Sequence, residues 1–262
     1  MVFGDKAVVI TGAGGGIGAA LALRFAREHP RVVVAADINA VRAEQTARQV
    51  RARAVPALAV AADVSDPEQV HKLIAEVENG YGQVDIVCSN AGVAAGMGVH
   101  APDSRWASSW GVNVMAHVYL AKAVLPGMAA RRSGTFLITA SAAGLLGLPG
   151  DAPYTVTKHA AVGLADWLAT TYGRNDVQVS VLCPLGVRTD FLMPAVAAGH
   201  PAARAVAEYA PIIEPDEVAE AALRGMADGR FMILPHPEVA EMYAKKAADP
   251  QAWQAAQQRD AQ

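Results

Sequence analysis

The segment KAVVITGAGGGIGAALALRFAREH, residues Lys6–His29, joins an apolar run to a glycine-rich turn and then to a second apolar pattern. The β-branched run predicts a strand, and the apolar residues that recur every three to four positions after the turn predict a helix. A helix that begins at such a turn directs free N–H groups and a positive dipole end at an anion. Glycines also let the backbone approach a pyrophosphate. An ordinary tight turn uses glycines too, so the rest of the chain has to decide between the two interpretations.

Strand and helix patterns alternate along the rest of the chain, and most of the strand patterns are apolar throughout. Such strands are typical of a parallel sheet that helices cover on both faces. No repeat, low-complexity segment or linker interrupts the alternation. We therefore predict an α/β fold, a single Rossmann-type doubly wound domain over residues 1–262 with a seven-stranded, mostly parallel sheet. The predicted strands are KAVVIT, RVVVAAD, VPALAVAAD, VDIVCSN, GTFLITAS, VQVSVLCP and RFMILP.

An acidic residue at the end of the second strand supports the dinucleotide interpretation. Asp37 lies 19 residues after Gly18. A carboxylate there can accept hydrogen bonds from both hydroxyls of an adenosine ribose, and it would repel the 2′-phosphate of NADP. The alternative is that Asp37 caps the following helix, and Arg42, the nearest basic residue downstream, is expected on a solvated helix face. The pattern predicts NAD as the cofactor.

Composition and charge argue against several other classes of protein. The formal net charge is −3 and the chain has no basic block, which argues against a nucleic-acid partner. No apolar stretch reaches the roughly 18–20 residues that cross a bilayer, and the N-terminus lacks the pattern of a secretory signal. Cys88 and Cys183 lie in apolar strands and are interpreted as buried free thiols, which suit a reducing compartment. We expect a soluble cytoplasmic protein with no membrane partner and no metal site.

Three motifs connect the glycine turn to a known family. The turn reads Thr-Gly-x-x-x-Gly-x-Gly over Thr11–Gly18, Asn90-Ala91-Gly92 follows the fourth predicted strand, and Tyr154 stands four residues before Lys158. With these motifs in this order, the chain resembles the short-chain dehydrogenase/reductase family. The resemblance extends from about residue 6 to residue 235, close to the full chain.

The resemblance implies a catalytic group of four residues. Asn113 matches the helix asparagine of the family, Ser141 its serine, and Tyr154 and Lys158 its tyrosine–lysine pair. Each residue alone has an ordinary alternative: a strand-end serine, a helix-interior asparagine or an amphipathic pair on a helix. Together, and beside a glycine turn, they predict an NAD-dependent oxidoreductase that acts on a secondary alcohol or ketone.

The resemblance also assigns residues to the cofactor, and it contains one departure. Ser89 stands where many members have another asparagine; in the family that position mainly stabilises the central sheet. The predicted cofactor residues are Thr11, Gly12, Gly16, Ile17, Gly18, Asp37, Asp63, Val64, Asn90, Ala91, Gly92, Tyr154, Lys158, Pro184, Gly186, Val187 and Thr189.

The reaction explains why a lysine accompanies the tyrosine. Hydride transfer from an alcohol also requires removal of the hydroxyl proton, and the ordinary tyrosine pKa of about 10 is too high for an efficient base near neutrality. Lys158 lies on the same helical face as Tyr154. We expect its ammonium, together with the positive charge of oxidised nicotinamide, to favour tyrosinate, while Ser141 orients the substrate oxygen. His117, four residues after Asn113, is expected to be an ordinary helix histidine rather than part of a proton path.

Three segments are expected to surround the nicotinamide: residues 93–100, residues 142–151, and a substrate loop over about 190–213 that moves as a lid. Their large side chains are apolar, which suits an apolar alcohol or ketone better than a phosphorylated sugar or a carboxylate. The alternative is that these side chains pack the loops onto the core. They are Met97, Leu145, Leu146, Leu148, Phe191, Leu192 and Met193.

The same fold also allows functions other than an oxidoreductase, and the resemblance implies an assembly of several subunits. A dinucleotide-binding sensor or scaffold would need no turnover, and an epimerase-type relative would carry a larger sugar-nucleotide domain, for which this chain has little room. The resemblance implies a homodimer or homotetramer with contacts through the helices Ser104–Ala130 and Ala152–Tyr172. The tail over about 237–262 is expected to be helical and polar, and it is open whether it forms a lid, an oligomer contact or a frayed end.

Overall fold

A computed structural model describes residues 3–147 and 149–260. The strands of this part of the chain are β1 (Ala7–Thr11), β2 (Val32–Asp37), β3 (Ala57–Ala61), β4 (Ile86–Ser89), β5 (Gly134–Thr139), β6 (Val177–Leu182) and β7 (Met232–Ile233). They form one sheet in the order β3-β2-β1-β4-β5-β6-β7, and every neighbouring pair is parallel. The strand order therefore reverses between β1 and β4. The predicted doubly wound fold is confirmed, and its sheet is parallel throughout.

Helices connect the strands and cover both faces of the sheet. The α-helices of the described residues are α1 (Gly16–Phe25), α2 (Ala40–Arg51), α3 (Pro67–Tyr81), α4 (Asp103–Trp110), α5 (Ala116–Ala130), α6 (Ala143–Leu146), α7 (Ala152–Tyr172), α8 (Met193–Ala197), α9 (Pro201–Tyr209), α10 (Pro215–Ala227), α11 (Pro237–Ala248) and α12 (Pro250–Asp260). Short 3₁₀ turns follow α1 and α7, at Ala26–Glu28 and Gly173–Asn175.

The two faces of β1 show why the strands are apolar throughout. Val8 and Ile10 are buried in one cluster with side chains of α1 and α10, whereas Val9 is buried in a second cluster with side chains of α3, α5 and α7. Successive side chains of a strand point to opposite faces of the sheet. Because helices cover both faces, both sets of strand positions have to be apolar.

The predicted helix Ser104–Ala130 is divided by a π-helical turn. The turn covers Gly111–Met115, between α4 and α5, and the N–H of Ala116 bonds to the Gly111 carbonyl five residues back. Asn113 lies at its centre. The apolar pattern did not reveal the turn, because a π turn inserts a residue into the helical spacing without ending the helix.

Strand β7 is shorter than the predicted segment RFMILP. Only Met232 and Ile233 pair with β6. The chain then turns into His236, a buried residue whose ring contacts the N–H of Leu185 and the carbonyl of Gly186. The segment after Ile233 therefore supports the loop that follows β6 instead of extending the sheet.

The C-terminal tail is helical, as predicted, and it packs on α6. Lys246 of α11 donates from Nζ to the carbonyl of Leu145 at 2.6 Å, and the indole N–H of Trp253 in α12 donates to the carbonyl of Leu146 at 3.3 Å. These bonds satisfy carbonyl groups at the end of a helix of only four residues. The tail is therefore attached to the loop that follows β5.

The two cysteines are free and buried, as predicted. Strand β5 lies between β4, which carries Cys88, and β6, which ends just before Cys183. Among the helices described here, none is long and apolar enough to cross a membrane.

Candidate active site

A cavity of about 520 Å³ lies at the carboxyl ends of the strands. The segments that follow β1 to β6 line it together with the substrate loop. Open α/β sheets bind ligands at this edge, where the strand order reverses. The structure brings most of the predicted cofactor residues together on the wall of this cavity. They are Gly12, Gly16, Ile17, Asp37, Asp63, Val64, Asn90, Ala91, Gly92, Tyr154, Lys158, Pro184, Val187 and Thr189.

The three other predicted cofactor residues stand behind the wall. Thr11 Oγ1 accepts the N–H groups of Asn90-Ala91 at 3.0 and 3.2 Å, and so joins the ends of β1 and β4. Helix α1 packs so closely that a Cβ on Gly18 would lie 2.2 Å from the Gly12 carbonyl oxygen. Gly186 packs against side chains of the substrate loop. These positions shape the site without lining the cavity.

The glycine turn leaves its backbone open to the cavity. Gly12 has a φ of +64°, and a Cβ there would lie 2.8 Å from the Ala91 Cα. A Cβ on Gly14 would lie 2.8 Å from the carboxylate of Asp37. No side chain of the described residues caps the N-terminus of α1 at Gly15, so its first N–H groups have no side-chain acceptor. A bare backbone, an uncapped helix end and a carboxylate fit a dinucleotide.

The carboxylate of Asp37 is held in place beside the turn. Its Oδ2 accepts the N–H of Gly14 at 2.8 Å and its Oδ1 accepts the N–H of Asn39 at 2.9 Å. Asn39, not Asp37, caps α2. Arg42 lines the cavity, and its Nη2 lies 2.8 Å from Asp190 Oδ2. Arg42 is exposed on α2, as expected of a solvated helix face, and it also borders the cavity.

Ser141, Tyr154 and Lys158 meet on one side of the cavity. Ser141 follows β5, whereas Tyr154 and Lys158 lie in the first two turns of α7. The Ser141 hydroxyl acts on Tyr154 by lowering its pKa, and its Oγ donates to the Pro184 carbonyl at 3.4 Å and accepts the N–H of Ala143 at 3.1 Å. Lys158 Nζ lies 5.6 Å from the centre of the Tyr154 ring and donates to the Thr139 carbonyl at 2.8 Å. A substrate oxygen can therefore meet two hydroxyl groups near a buried ammonium.

Burial is the main cause of the pKa shifts of Tyr154 and Lys158. It raises the pKa of Tyr154 to about 12, and the hydrogen bond with Ser141 opposes only part of that rise. It lowers the pKa of Lys158 to about 8, because a buried ammonium loses its hydration. In the protein by itself, burial therefore outweighs any attraction between Lys158 and a tyrosinate, and the expected stabilisation of tyrosinate with oxidised nicotinamide bound stays a prediction. At neutral pH the tyrosine keeps its proton and the lysine keeps its charge.

Asn113 is fully buried and does not line the cavity. Its Oδ1 accepts the N–H of Val93 at 2.9 Å, and its Nδ2 donates to the Val93 carbonyl at 2.9 Å and to Thr157 Oγ1 at 3.0 Å. The side chain therefore joins the segment after β4 to α7, one residue before Lys158. The π-helical turn places Asn113 at this junction.

The departure at Ser89 is matched by a histidine. Ser89 Oγ lies 2.5 Å from His117 Nδ1, and both residues are buried. Burial lowers the pKa of His117 to about 3, with the charge of Lys158 acting in the same direction, so the ring is neutral near neutrality. Its Nε2 has no hydrogen-bond partner among the described residues. The pair joins the end of β4 to α5, so His117 has a structural role. The sequence carries no sign of this pairing beyond the position of His117 four residues after Asn113.

The substrate side of the cavity differs in part from the prediction. Phe191 and Leu192 line it, and the Phe191 ring centre lies 5.9 Å from that of Tyr154. Leu145 and Leu146 are buried in the core cluster, which confirms the alternative for these two residues, and the tail helices bond to their carbonyls. Leu148 lies outside the described residues. Met97 and Met193 are not on the wall, which is completed by Val93, Ala94, Ala143, Leu185, Ala195, Ala203 and Val206.

Among the polar residues on the wall that were not predicted, Asp151 and His200 make contacts that shape the site. Asp151 caps α7, and His200 Nε2 lies 2.9 Å from the carbonyl of Gly96. The sequence carries a signal for the first, since Asp151 stands two residues before Pro153 at the start of a helical pattern. It carries none for the second, because the contact joins residues 104 positions apart.

Comparison with known proteins gives a family and several relatives. The family model described as short chain dehydrogenase matches residues 6–198. The curated protein 17-beta-hydroxysteroid dehydrogenase 13 of Mus musculus is 33% identical over 233 residues, which cover 87% of this chain and 73% of that protein.

Two solved structures are similar over nearly the whole chain. A short chain dehydrogenase/reductase from Burkholderia phymatum in complex with NAD is 29% identical, has a TM-score of 0.87, and is matched over 96% of each chain. A short-chain dehydrogenase from Sphingobium yanoikuyae in complex with NADPH is 26% identical, has a TM-score of 0.78, and is matched over 95% of each chain. These neighbours include both forms of the nicotinamide cofactor.

Proposed function

The chain belongs to the short-chain dehydrogenase/reductase family, and from that premise we propose that it transfers a hydride between NAD and a secondary alcohol or ketone. The family supports an oxidoreductase with a nicotinamide dinucleotide. The finer proposal depends on one observation: Ser141, Tyr154 and Lys158 meet on the wall of the cavity whose floor is the glycine turn.

Each side chain of the group has a distinct part in the proposed reaction. The nicotinamide, when bound, accepts or donates the hydride. Ser141 donates a hydrogen bond to the substrate oxygen and holds it near the Tyr154 hydroxyl, which takes the proton in oxidation and gives it in reduction. Lys158 is charged and close to the ring of Tyr154, and so it stabilises the tyrosinate that forms during oxidation. Asn113 fixes the wall segment and α7 relative to each other.

Replacement of one atom tests this assignment. Tyr154→Phe removes the hydroxyl and keeps the ring, so we expect turnover to fall by about 100-fold or more, which is the usual contribution of a general acid or base. Binding of NADH, followed by its fluorescence, is expected to stay within about twofold. Unchanged turnover would overturn the mechanism. Unchanged binding with no turnover of any alcohol or ketone by the unmodified protein would favour the sensor or scaffold function.

The position of Asp37 supports NAD rather than NADP. Its carboxylate lines the cavity beside Gly14, where a ribose 2′-phosphate would meet a negative charge. Arg42 is the cation nearby, and it is already paired with Asp190. We expect kcat/KM to be higher with NAD than with NADP, and Asp37→Ser to reduce that ratio. Higher kcat/KM with NADP would contradict the proposed preference.

The wall beside Tyr154 supports a neutral, apolar substrate. Phe191, Leu192 and Val206 come from the substrate loop, and Leu185 from the segment after β6. The mouse relative is named for a 17-beta-hydroxysteroid, which is a large apolar secondary alcohol. A panel of cyclic secondary alcohols and ketones, assayed by NADH absorbance, tests the class. Turnover confined to phosphorylated sugars or carboxylates would exclude it.

An exposed apolar face supports a homodimer or homotetramer. Trp110 on α4 and Val156 and Trp167 on α7 are 45%, 46% and 59% exposed. Such side chains on neighbouring helices are typical of a subunit interface. Light scattering after size exclusion measures the mass, and a monomer at micromolar concentration would contradict this assembly. The cytoplasmic location stays a prediction, which cell fractionation tests.

A further inference from the structure

Asp151 is a buried carboxylate at the first turn of the helix that carries Tyr154 and Lys158. Its side chain caps α7 by accepting the N–H of Tyr154 on Oδ1 at 2.9 Å. The residue is only 7% exposed, and it lies on the wall of the cavity. A cap requires one carboxylate oxygen, and a serine or asparagine serves as well. The second oxygen therefore needs its own explanation.

The second oxygen holds the wall segment after β4. Oδ2 of Asp151 accepts the N–H of Ala95 at 2.8 Å and the N–H of Gly96 at 2.6 Å. The backbone adds a parallel bond, from the N–H of Ala152 to the Met97 carbonyl at 2.9 Å. Residues 93–97 form no helix or strand of their own. Their position relative to Tyr154 thus depends on such side-chain bonds.

Two side chains hold this segment at its two ends. Asn113 accepts and donates at Val93, and Asp151 accepts at Ala95 and Gly96. Within this anchored segment, Val93, Ala94 and Gly96 line the cavity. The Gly96 carbonyl also meets His200 of the substrate loop. The carboxylate therefore joins the catalytic helix to the wall that faces the substrate loop.

We propose that Asp151 is a positioning residue for the reaction, which holds residues 93–97 against the first turn of α7 so that the substrate wall and the Tyr154 hydroxyl keep a fixed geometry. The inference rests on the proposed function. It predicts that loss of the second oxygen harms substrate use more than cofactor binding, because the glycine turn and Asp37 do not contact Asp151.

The charge of Asp151 affects the pKa of Tyr154, and so the pH dependence of the reaction, which an uncharged helix cap would not affect. The negative charge raises the pKa of Tyr154, in addition to the larger effect of burial. The other groups that act on the hydroxyl are Ser141, whose hydrogen bond lowers that pKa, and Cys183, which raises it only as a thiolate; burial raises the pKa of Cys183 to about 12, so it is neutral near neutrality. Lys158 lies beside the ring. Removal of the Asp151 charge should lower the pKa of Tyr154, so oxidation should reach its plateau at lower pH.

Two variants of Asp151 distinguish the effect of its hydrogen bonds from the effect of its negative charge. Asp151→Asn keeps the size and the cap, but its amide cannot accept all three N–H bonds and carries no charge. We expect KM for the alcohol to rise about tenfold, as the loss of a charged hydrogen bond implies, with kcat and the NADH dissociation constant changed less than threefold. The pH profile of kcat/KM should move to lower pH. Asp151→Glu keeps the charge but misplaces it, so KM should rise while the profile stays.

A second aspartate cap serves as the matched control. Asp66 caps α3 and accepts the N–H of Glu68 at 2.9 Å, and it does not line the cavity. Asp66→Asn should change neither KM nor the pH profile. If Asp151→Asn behaves like Asp66→Asn, or if both Asp151 variants shift the pH profile alike, the inference is overturned. If Tyr154→Phe keeps its turnover, the proposed function fails instead, so the two failures are distinguishable.

Discussion

Gly18 has the closest backbone approach within the glycine turn. A Cβ there would lie 2.2 Å from the Gly12 carbonyl oxygen and 2.7 Å from its carbon. Because these are rigid backbone atoms, an alanine would push α1 away from β1. We expect Gly18→Ala to lower the free energy of unfolding by about 2–3 kcal/mol, as overpacking of a tight contact does. Urea denaturation measures the change, and NADH titration should show weaker binding.

Gly80 provides the matched control for Gly18. It lies near the end of α3, and a Cβ there would meet nothing within 4 Å. Gly80→Ala should raise the free energy of unfolding by about 0.5–1 kcal/mol, since alanine favours a helix over glycine. A similar loss in both variants would mean that the close approach at Gly18 has no energetic effect.

Lys158 makes stability depend on pH in a defined window. Burial lowers its pKa from 10.5 to about 8. Between these values the unfolded chain binds the proton and the folded chain does not, so stability rises with pH across this window. The charged lysine therefore destabilises the fold below pH 8, and this cost disappears as the pH approaches 10.5. Burial of Tyr154 acts in the opposite direction above pH 10, because its raised pKa makes the folded state keep a proton that the unfolded state loses.

Lys158→Met tests the sign of this dependence. Between pH 7.5 and pH 9.5, we expect the free energy of unfolding of the parent protein to rise relative to that of the variant by about 2 kcal/mol. Titration of the cysteines is common to both proteins and cancels in the difference. Lys72→Met, at an exposed position of α3, should follow the parent at every pH. A constant difference between the parent protein and Lys158→Met would show that the burial of Lys158 does not couple to folding.

Among the elements, the tail helices have a structural effect on the catalytic loop. Trp253 of α12 packs against the main core cluster and donates to the Leu146 carbonyl. Gln257 of the same helix accepts from the Tyr209 hydroxyl of α9 at 2.6 Å. The tail thus connects α6, which follows Ser141, to the substrate loop. Its order comes from these contacts, since its own surface is largely polar.

Removal of the Trp253 indole tests how strongly the tail supports α6. Trp253→Ala removes a partly buried ring and the bond to Leu146, so we expect a loss of about 2 kcal/mol in the free energy of unfolding, below the range for a fully buried tryptophan. Substrate KM should rise, because α6 loses a support next to Ser141. Gln254→Ala, at the neighbouring exposed position, should leave both quantities unchanged. Equal stability of Trp253→Ala and the parent would show that α12 is only loosely attached.

The elements also show where sequence patterns reach their limit. The strands were predictable because their two buried faces require unbroken apolar runs, and the glycine turn because its backbone conformation and close contacts exclude side chains. The π-helical turn around Asn113 was not predictable, because its residues have the same apolar composition as the helices on either side. The sequence left open whether Leu145 is buried, and it did not predict the tail contact there: the lysine that bonds to its carbonyl lies 101 residues further along the chain. Local spacing carries no information about such a partner.

At the scale of the molecule, two contacts join the substrate loop to the opposite side of the cavity. His200 meets the Gly96 carbonyl, and Asp190 pairs with Arg42 of α2. Arg42 and Asp190 are 51% and 82% exposed. An ion pair of that exposure contributes at most about 1 kcal/mol and is screened by salt. A weak, screened pair is compatible with the lid movement that we predict for the substrate loop, and it would not hold the loop permanently closed.

This closure predicts a salt-dependent rate of cofactor release. At low ionic strength, Arg42→Ala and Asp190→Ala should each speed the dissociation of NADH by up to about fivefold, the ratio that 1 kcal/mol gives, because either change removes the same pair. In 1 M salt, where charges are screened within about 3 Å, both variants should match the parent. The exchanged pair, Arg42→Asp with Asp190→Arg, should recover the slower rate. Stopped-flow fluorescence measures the release, and Arg48→Ala, which breaks an ion pair on α2 that does not reach the substrate loop, is the control. A faster rate in Arg42→Ala but not in Asp190→Ala would mean that the guanidinium holds the cofactor directly and that the substrate loop closes by other contacts.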